Sequence, residues 1–159
     1  MRSSTLKGVG FGLTSGIITT LGLIIGLSSS TNSQGIVLGG IIIIAIADSL
    51  SDALGIHVSE ESKKGSSKSV WNSTLWTFIS KLIVALSFIV PVLLFSLSNA
   101  IIFSIIWGLA LIGIFSYYIA KKNKEKPAHV VLEHILITII VIIATHFIGK
   151  WIGSSALFI

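Results

Sequence analysis

The chain contains no cysteine. That single absence removes disulfides, thiolate metal sites and cysteine nucleophiles together, and it leaves the redox compartment open. Charge is scarce as well: 11% of the residues are Asp, Glu, Lys or Arg, where a soluble domain carries roughly a quarter. With 53% hydrophobic residues and a mean hydropathy of +0.98, there is too little polar surface to coat a water-soluble particle. Lipid, in contrast, solvates Ile, Leu, Val and Phe directly. The formal net charge of +5 does not point to nucleic acid, because the basic residues fall in short loops beside apolar stretches, where topology signals sit. The first apolar stretch follows two basic residues, runs for about 20 residues and has no small-residue cleavage site, so it reads as a retained helix rather than a signal peptide.

Five apolar runs are present, at about 9–27, 35–57, 71–95, 99–120 and 128–149, each near the roughly 20 residues that cross a bilayer. Backbone groups in lipid must be satisfied within their own segment, so the runs are helices. The expected fold is a single all-α transmembrane domain over residues 1–159. Arg2, Lys7, Lys63, Lys64, Lys68, Lys121, Lys122, Lys124 and Lys126 all fall on one side of such a bundle, whereas the opposite connectors at 28–34 and 96–99 carry no charge and only Lys150 follows the fifth span. The positive-inside rule then puts the N-terminus inside and the C-terminus outside. Trp71 and Trp151 are candidate interfacial anchors, while Trp107, deep in the fourth span, reads as packing.

An ionisable side chain inside a membrane helix costs roughly 3 kcal/mol on insertion scales, so each calls for a partner or a purpose. Asp48, Asp52, Lys81 and Glu133 qualify. Asp48 and Asp52 are four residues apart and therefore share one helix face. At about 1.5 Å rise per residue, Asp52, Ser15, Glu133 and His134 lie roughly 8–9 Å in from the cytosolic end, with Asp48 and Lys81 at roughly 14–16 Å. Two Asp, one Glu and one Lys sum to a formal −2, a balance that a divalent cation offsets. Oxygen and imidazole ligands without thiolate suit Fe(II), Mn(II) or another transition ion. The candidate metal-handling set is thus Asp48, Asp52, Ser15, Glu133 and His134. The plainer alternative is that Lys81 pairs with Asp48 and fixes helix packing while Asp52 hydrogen-bonds a neighbour. His57, Glu60 and Glu61 stand at the end of the second span, spaced to capture a cation from the cytosolic side or simply to form a solvated charged helix end. His129 reads as interfacial, and His146 lies near the outer surface.

Gly12 and Gly16 form a G-x-x-x-G pair in the first span, and Gly22 and Gly26 lie on another face with Ser15 and Thr19. Small residues let helices approach closely. The expectation is contact with the second span on one face and with a second copy of the chain, making a homodimer, on the other.

Spans one and two carry a resemblance. Gly12-Leu-Thr-Ser-Gly-Ile-Ile-Thr-Thr20 resembles the G-L-x-D-G-x-x-T-T signature of the vacuolar iron transporter family. Ala47-Asp-Ser-Leu-Ser-Asp-Ala-Leu-Gly-Ile-His-Val-Ser59 resembles that family's A-D-x-x-S-M-A-x-G-E-Y-x-S signature. Pro91 and the Ile148-Gly149 pair are similar too. The resemblance implies export of ferrous iron or manganese from the cytosol in exchange for protons, with no resident cofactor and no enzymatic activity. It implies a multi-pass protein of the cell membrane in a prokaryote, or of an organelle membrane otherwise. The departures are specific. Ser15 stands where the family has an acidic residue, Asp52 where it has methionine, and Ile56-His57 where it has Glu-Tyr. Residues 59–70 are too few for the cytoplasmic metal-binding domain of plant members, and Lys81 has no counterpart. A harder, all-oxygen site favours Mn(II) over a thioether-assisted iron site. An alternative from another class is a non-transporting membrane scaffold of the same fold, in which the Lys81 ammonium replaces the metal's charge. An intramembrane aspartic hydrolase is disfavoured, since two aspartates on one helix do not supply a facing dyad.

The topology is testable directly. An epitope tag at the C-terminus should be reached by antibody from the outer face of intact cells, and one in the 121–126 loop only after permeabilisation; the reverse pattern would refute the assigned orientation.

Overall fold

A computed structural model describes residues 3–155; Arg2, one of the nine basic residues assigned to the inner side, lies outside the described residues. The described residues form six helices: α1 (Ser3–Thr31), α2 (Gln34–Ser62), α3 (Ser67–Ser87), α4 (Ile89–Leu94), α5 (Leu97–Asn123) and α6 (Pro127–Ser154). No strand occurs among the described residues. α3 and α4 together make one pass, so five helical segments are long and apolar enough to cross a membrane, the hallmark of a multi-pass integral membrane protein. The helices run past the apolar stretches read from the sequence, because backbone hydrogen bonding continues beyond the hydrocarbon layer.

The ends are set by local chemistry. Ser33 caps α2 by accepting from the Ile36 N–H, and Ser66 caps α3 by accepting from the Ser69 N–H, each satisfying an orphan donor of the first turn. Pro127 starts α6, where its missing N–H costs nothing. The break between α3 and α4 was not expected as a separate helix. Pro91 cannot donate to the Ser87 carbonyl four residues back and its ring crowds that turn. The Phe88 N–H bonds instead to Ala85 at 3.2 Å, and α3 stops at Ser87. The Gln34 side-chain amide donates to the carbonyls of Val92 and Phe95 nearby, tying the start of α2 to the end of α4.

α1 sits between an α2–α3 pair and an α5–α6 pair. Its first half is pressed onto α3. A Cβ at Gly12 would lie 2.6 Å from the Thr77 carbonyl oxygen, and one at Gly16 2.6 Å from Val84 Cγ1. Gly22 faces Val141 and Thr145 of α6, Gly26 faces Thr145, and Gly149 and Gly153 of α6 return the contact against Gly26, Ser29 and Ser30. The expected contact of α1 with the second span is present, through Lys7 with Glu60 and Ser15 with Asp52, but it does not use these glycines: the Gly12/Gly16 face meets α3 and the Gly22/Gly26 face is covered by α6 of the same chain, so neither is left open for a second copy. The open small-residue face belongs to α2, where Gly35, Gly39 and Gly55 have no neighbour within 4 Å.

The bundle is chemically divided along its length. Toward one end, α3 presents Ser69, Ser73, Thr77 and Ser80, beside Gly8 and Gly12 of α1. Lys7, Glu60, Lys63 and the 121–126 lysines gather at this same end. Beyond Lys81 the contact surface is mostly apolar: Ile17, Leu21 and Ile24 of α1, Val37 and Ile41 of α2, Val84 of α3, Phe88 at the α3–α4 junction and Val92 of α4 are buried together with Ala100 and Ile112 of α5, with the hydroxyls of Thr20 and Ser104 buried in the same half.

Gly12→Ala should therefore lower stability by about 1–3 kcal/mol, because the Thr77 carbonyl is backbone and cannot yield to the added methyl. Gly39→Ala, in open space, should be neutral or stabilising by up to about 1 kcal/mol through reduced unfolded-state freedom. Thermal unfolding of the two variants in detergent checks the contrast, and equal effects would contradict the α1–α3 contact.

Candidate functional site

The half of the bundle nearer the lysine-rich end holds a buried charged cluster on α2 and α3. Lys81, on the face of α3 that lies along Gly12 and Gly16, is 1% exposed and extends between Asp48 and Asp52 of α2. Its ammonium donates to Asp52 Oδ2 and to Ser15 Oγ at 2.9 Å. It approaches Asp48 Oδ2 at 2.6 Å as an ion pair without hydrogen-bond alignment. The Ser15 hydroxyl donates in turn to Asp52 Oδ2 at 2.6 Å. Three helices thus meet at a closed Ser15–Asp52–Lys81 triangle with Asp48 on its edge. The i, i+4 spacing of the aspartates is what allows one ammonium to reach both. Antiparallel packing of α1 on α2 keeps one register throughout: Lys7 opposite Glu60, Ser15 opposite Asp52, and Leu27 against Gly40.

Two carboxylates against one ammonium leave one formal negative charge. The lysine is sealed, but the aspartate side chains are 27% and 21% exposed, so the uncompensated charge lies on the more open side of the cluster. In a bilayer such a charge is costly unless water, a cation or another protein surface reaches it.

The other candidates are distributed differently. Glu133 is 58% exposed on α6 and faces His129 one turn back at 3.9 Å. His134 bonds through Nδ1 to Ser116 of α5 at 2.7 Å. Both belong to the α5–α6 side of α1, so their shared depth with Asp52 does not bring them to the aspartates. Among the described residues no three His, Asp or Glu side chains are grouped as metal ligands. Depth along a helix was legible; the rotation of α6 about α1 was not. The end of α2 also divides. Glu60 bonds Lys7 of α1 and Lys63, both at 3.2 Å. His57 turns the other way, to Thr74 at 3.0 Å and edge-on to Trp71 with ring centroids 4.7 Å apart. His57 and Glu61 line one small cavity of about 170 Å³ with Gly65, Ser67, Val70 and Trp71.

Two partners had no signal in the sequence. Ser29 of α1 meets His146 Nδ1 of α6 at 2.9 Å beside an apolar cavity of about 360 Å³. The Trp107 indole donates to Ser87 at 3.1 Å, beside the Pro91 break. No family model matches the chain, and no curated protein is similar enough to count as a relative.

The cluster's internal dependence can be measured. Lys81→Ala strands two carboxylates and should cost about 3–5 kcal/mol, the usual penalty for removing one partner of a buried pair. The triple variant Asp48→Asn, Asp52→Asn, Lys81→Met should recover most of that loss. A triple variant no more stable than Lys81→Ala in detergent melts would contradict the ion triad.

Proposed function

We propose that the protein is a membrane transporter of divalent transition-metal cations, Mn(II) or Fe(II), that moves them out of the cytosol in exchange for protons. The observation that carries this reading is the position of the Asp48–Asp52 pair. It lies on a helix long and apolar enough to cross a membrane, with side chains 27% and 21% exposed and one formal negative charge in excess, where a polar α1–α3 contact gives way to a mostly apolar one. The hydroxyls of Ser73, Thr77 and Ser80 between the lysine-rich end and Lys81 are buried against α1 and donate to backbone carbonyls, so in this reading a cation reaches the aspartates from their exposed side rather than along the α1–α3 contact. Asp48 and Asp52 are the ligands and proton acceptors, with Ser15 as the hydroxyl between helices. Carboxylates bind a metal when deprotonated and release it when protonated, which links cation movement to a proton gradient. The resemblance of spans one and two to the vacuolar iron transporter family supports this cargo and its direction, and the basic end then faces the cytosol. His57 and Glu61, sharing a cavity at that end, suit a first encounter with the cation. Glu60 is engaged by two lysines, and Glu133 and His134 have no part in the aspartate site. A homodimer belongs to the same reading; the open glycine-bearing face of α2 is the surface that supports it, since both small-residue faces of α1 are used within the chain.

One observation favours a second reading. Lys81 reaches both aspartates at once, as it would in a scaffold where the ammonium permanently replaces a metal. Proteoliposome uptake separates the two. Wild-type protein should accumulate Mn(II) or Fe(II) when a proton gradient is imposed, and Asp48→Ala and Asp52→Ala should each reduce uptake at least about 100-fold, the loss expected when a charged ligand is removed. Folded wild-type protein that moves none of Fe(II), Mn(II), Co(II), Zn(II) or Ca(II) would reject transport, and wild-type rates in either variant would remove that residue from the site.

A further inference from the structure

Lys81 occupies a seat built for a cation. Its ammonium is surrounded by two carboxylates and a hydroxyl from two other helices. Its stem runs past Gly16, where a Cβ would come within 3.1 Å of Lys81 Cγ. The glycine face of α1 therefore does more than bring two backbones together: it leaves the trough in which the lysine lies. Asp48 Oδ2, the oxygen facing the ammonium, is buried, while the Asp48 and Asp52 side chains keep 27% and 21% of their surface exposed, so a second cation can approach the same two aspartates from that exposed surface. Lys81 and a divalent ion together carry +3 against −2, and they repel at a separation of a few ångströms in a medium that screens poorly. The two cations are alternatives, not neighbours.

We propose that Lys81 is a built-in counter-cation that holds Asp48 and Asp52 when no cargo is bound and that an incoming divalent cation displaces from them. This rests on the transport reading of the aspartate pair and adds a residue that sets its affinity. A carboxylate pair alone in a low-dielectric site holds a divalent ion tightly and releases it slowly. A tethered ammonium competes at high effective concentration, because it never leaves the neighbourhood. It lowers the affinity and closes the site behind a departing ion. An ion with a single charge gains less at the carboxylates and displaces the lysine less readily, which biases the site toward divalent cargo.

The test is Mn(II) binding to the purified full chain in detergent micelles, followed by titration calorimetry and by the shift in unfolding temperature. Lys81→Met should bind Mn(II) at least about tenfold more tightly than wild type, and Mn(II) should raise its unfolding temperature more than that of wild type. Adding Asp48→Asn and Asp52→Asn to Lys81→Met should remove both effects. Lys81→Arg, which keeps the charge, should bind no more tightly than wild type. If Lys81→Met does not survive purification, Lys81→Gln, which keeps a hydrogen-bonding side chain without the charge, is measured in its place with the same expectation. Equal affinity in wild type and the neutral variant overturns the proposal, as does Lys81→Arg binding as tightly as the neutral variant. The transport reading fails separately, by absence of uptake in wild-type proteoliposomes. Tight Mn(II) binding by the neutral variant in that case leaves Lys81 as the built-in cation of a protein that does not transport.

Discussion

The backbone of α1 lies directly against that of α3 at Gly8 and Gly12, and at Gly16 the missing side chain makes room for Val84 and the stem of Lys81; this contact determines what the rest of the bundle can do. In lipid there is little hydrophobic drive to bring helices together, so close packing and interhelical polar contacts must supply it. The glycine face provides the first and permits the second. It brings Ser15 close enough to bond both Lys81 and Asp52, and it carries the Lys81 stem to a depth where α2 presents its two aspartates. Larger residues at these positions would separate α1 from α3 and open the ion cluster.

A buried ion cluster of this kind is poor evidence for stability. Well-packed apolar residues of similar volume often replace such clusters at no cost or with a gain, because desolvating the charges offsets their attraction. Beyond the cluster, Ile17, Leu21, Ile41, Val84, Phe88 and Ile112 pack together as an apolar core. Asp48, Asp52 and Lys81 are gathered in one layer of the bundle, where the polar residues of α3 end.

The same division explains why the other polar residues form pairs instead of a larger site. His134 with Ser116, His146 with Ser29, and His57 with Thr74 are each a histidine bonded to one hydroxyl on an adjacent helix. Each is an interhelical tie of modest worth, about 0.6 kcal/mol on average in membrane proteins. They hold α6 to α5 and to α1, and α2 to α3. None brings a third carboxylate to the two aspartates, so the charged cluster stays on α1, α2 and α3.

The apolar helices, and the need of Asp48, Asp52 and Lys81 for partners among them, were legible in the residues themselves. Hydrocarbon imposes its demand on each segment separately, and 20 apolar residues or a charge among them are local facts. The i, i+4 aspartates shared a face by helix geometry alone, and the depths of Ser15 and Lys81 followed from counting. Azimuth did not follow. Whether Gly12 meets α2 or α3, whether Gly22 meets another copy or α6, and whether Glu133 turns toward Asp52 or toward His129 all depend on how helices rotate and choose neighbours. Those choices are made by many small contacts summed over whole faces, so no single residue announces them. The Pro91 break lay between these cases: its cause is local, but its consequence, the Gln34 amide tying α2 to the end of α4, required the fold. The sequence by itself determined which residues had to find partners inside the membrane; only the tertiary structure decided that both aspartates found the same lysine.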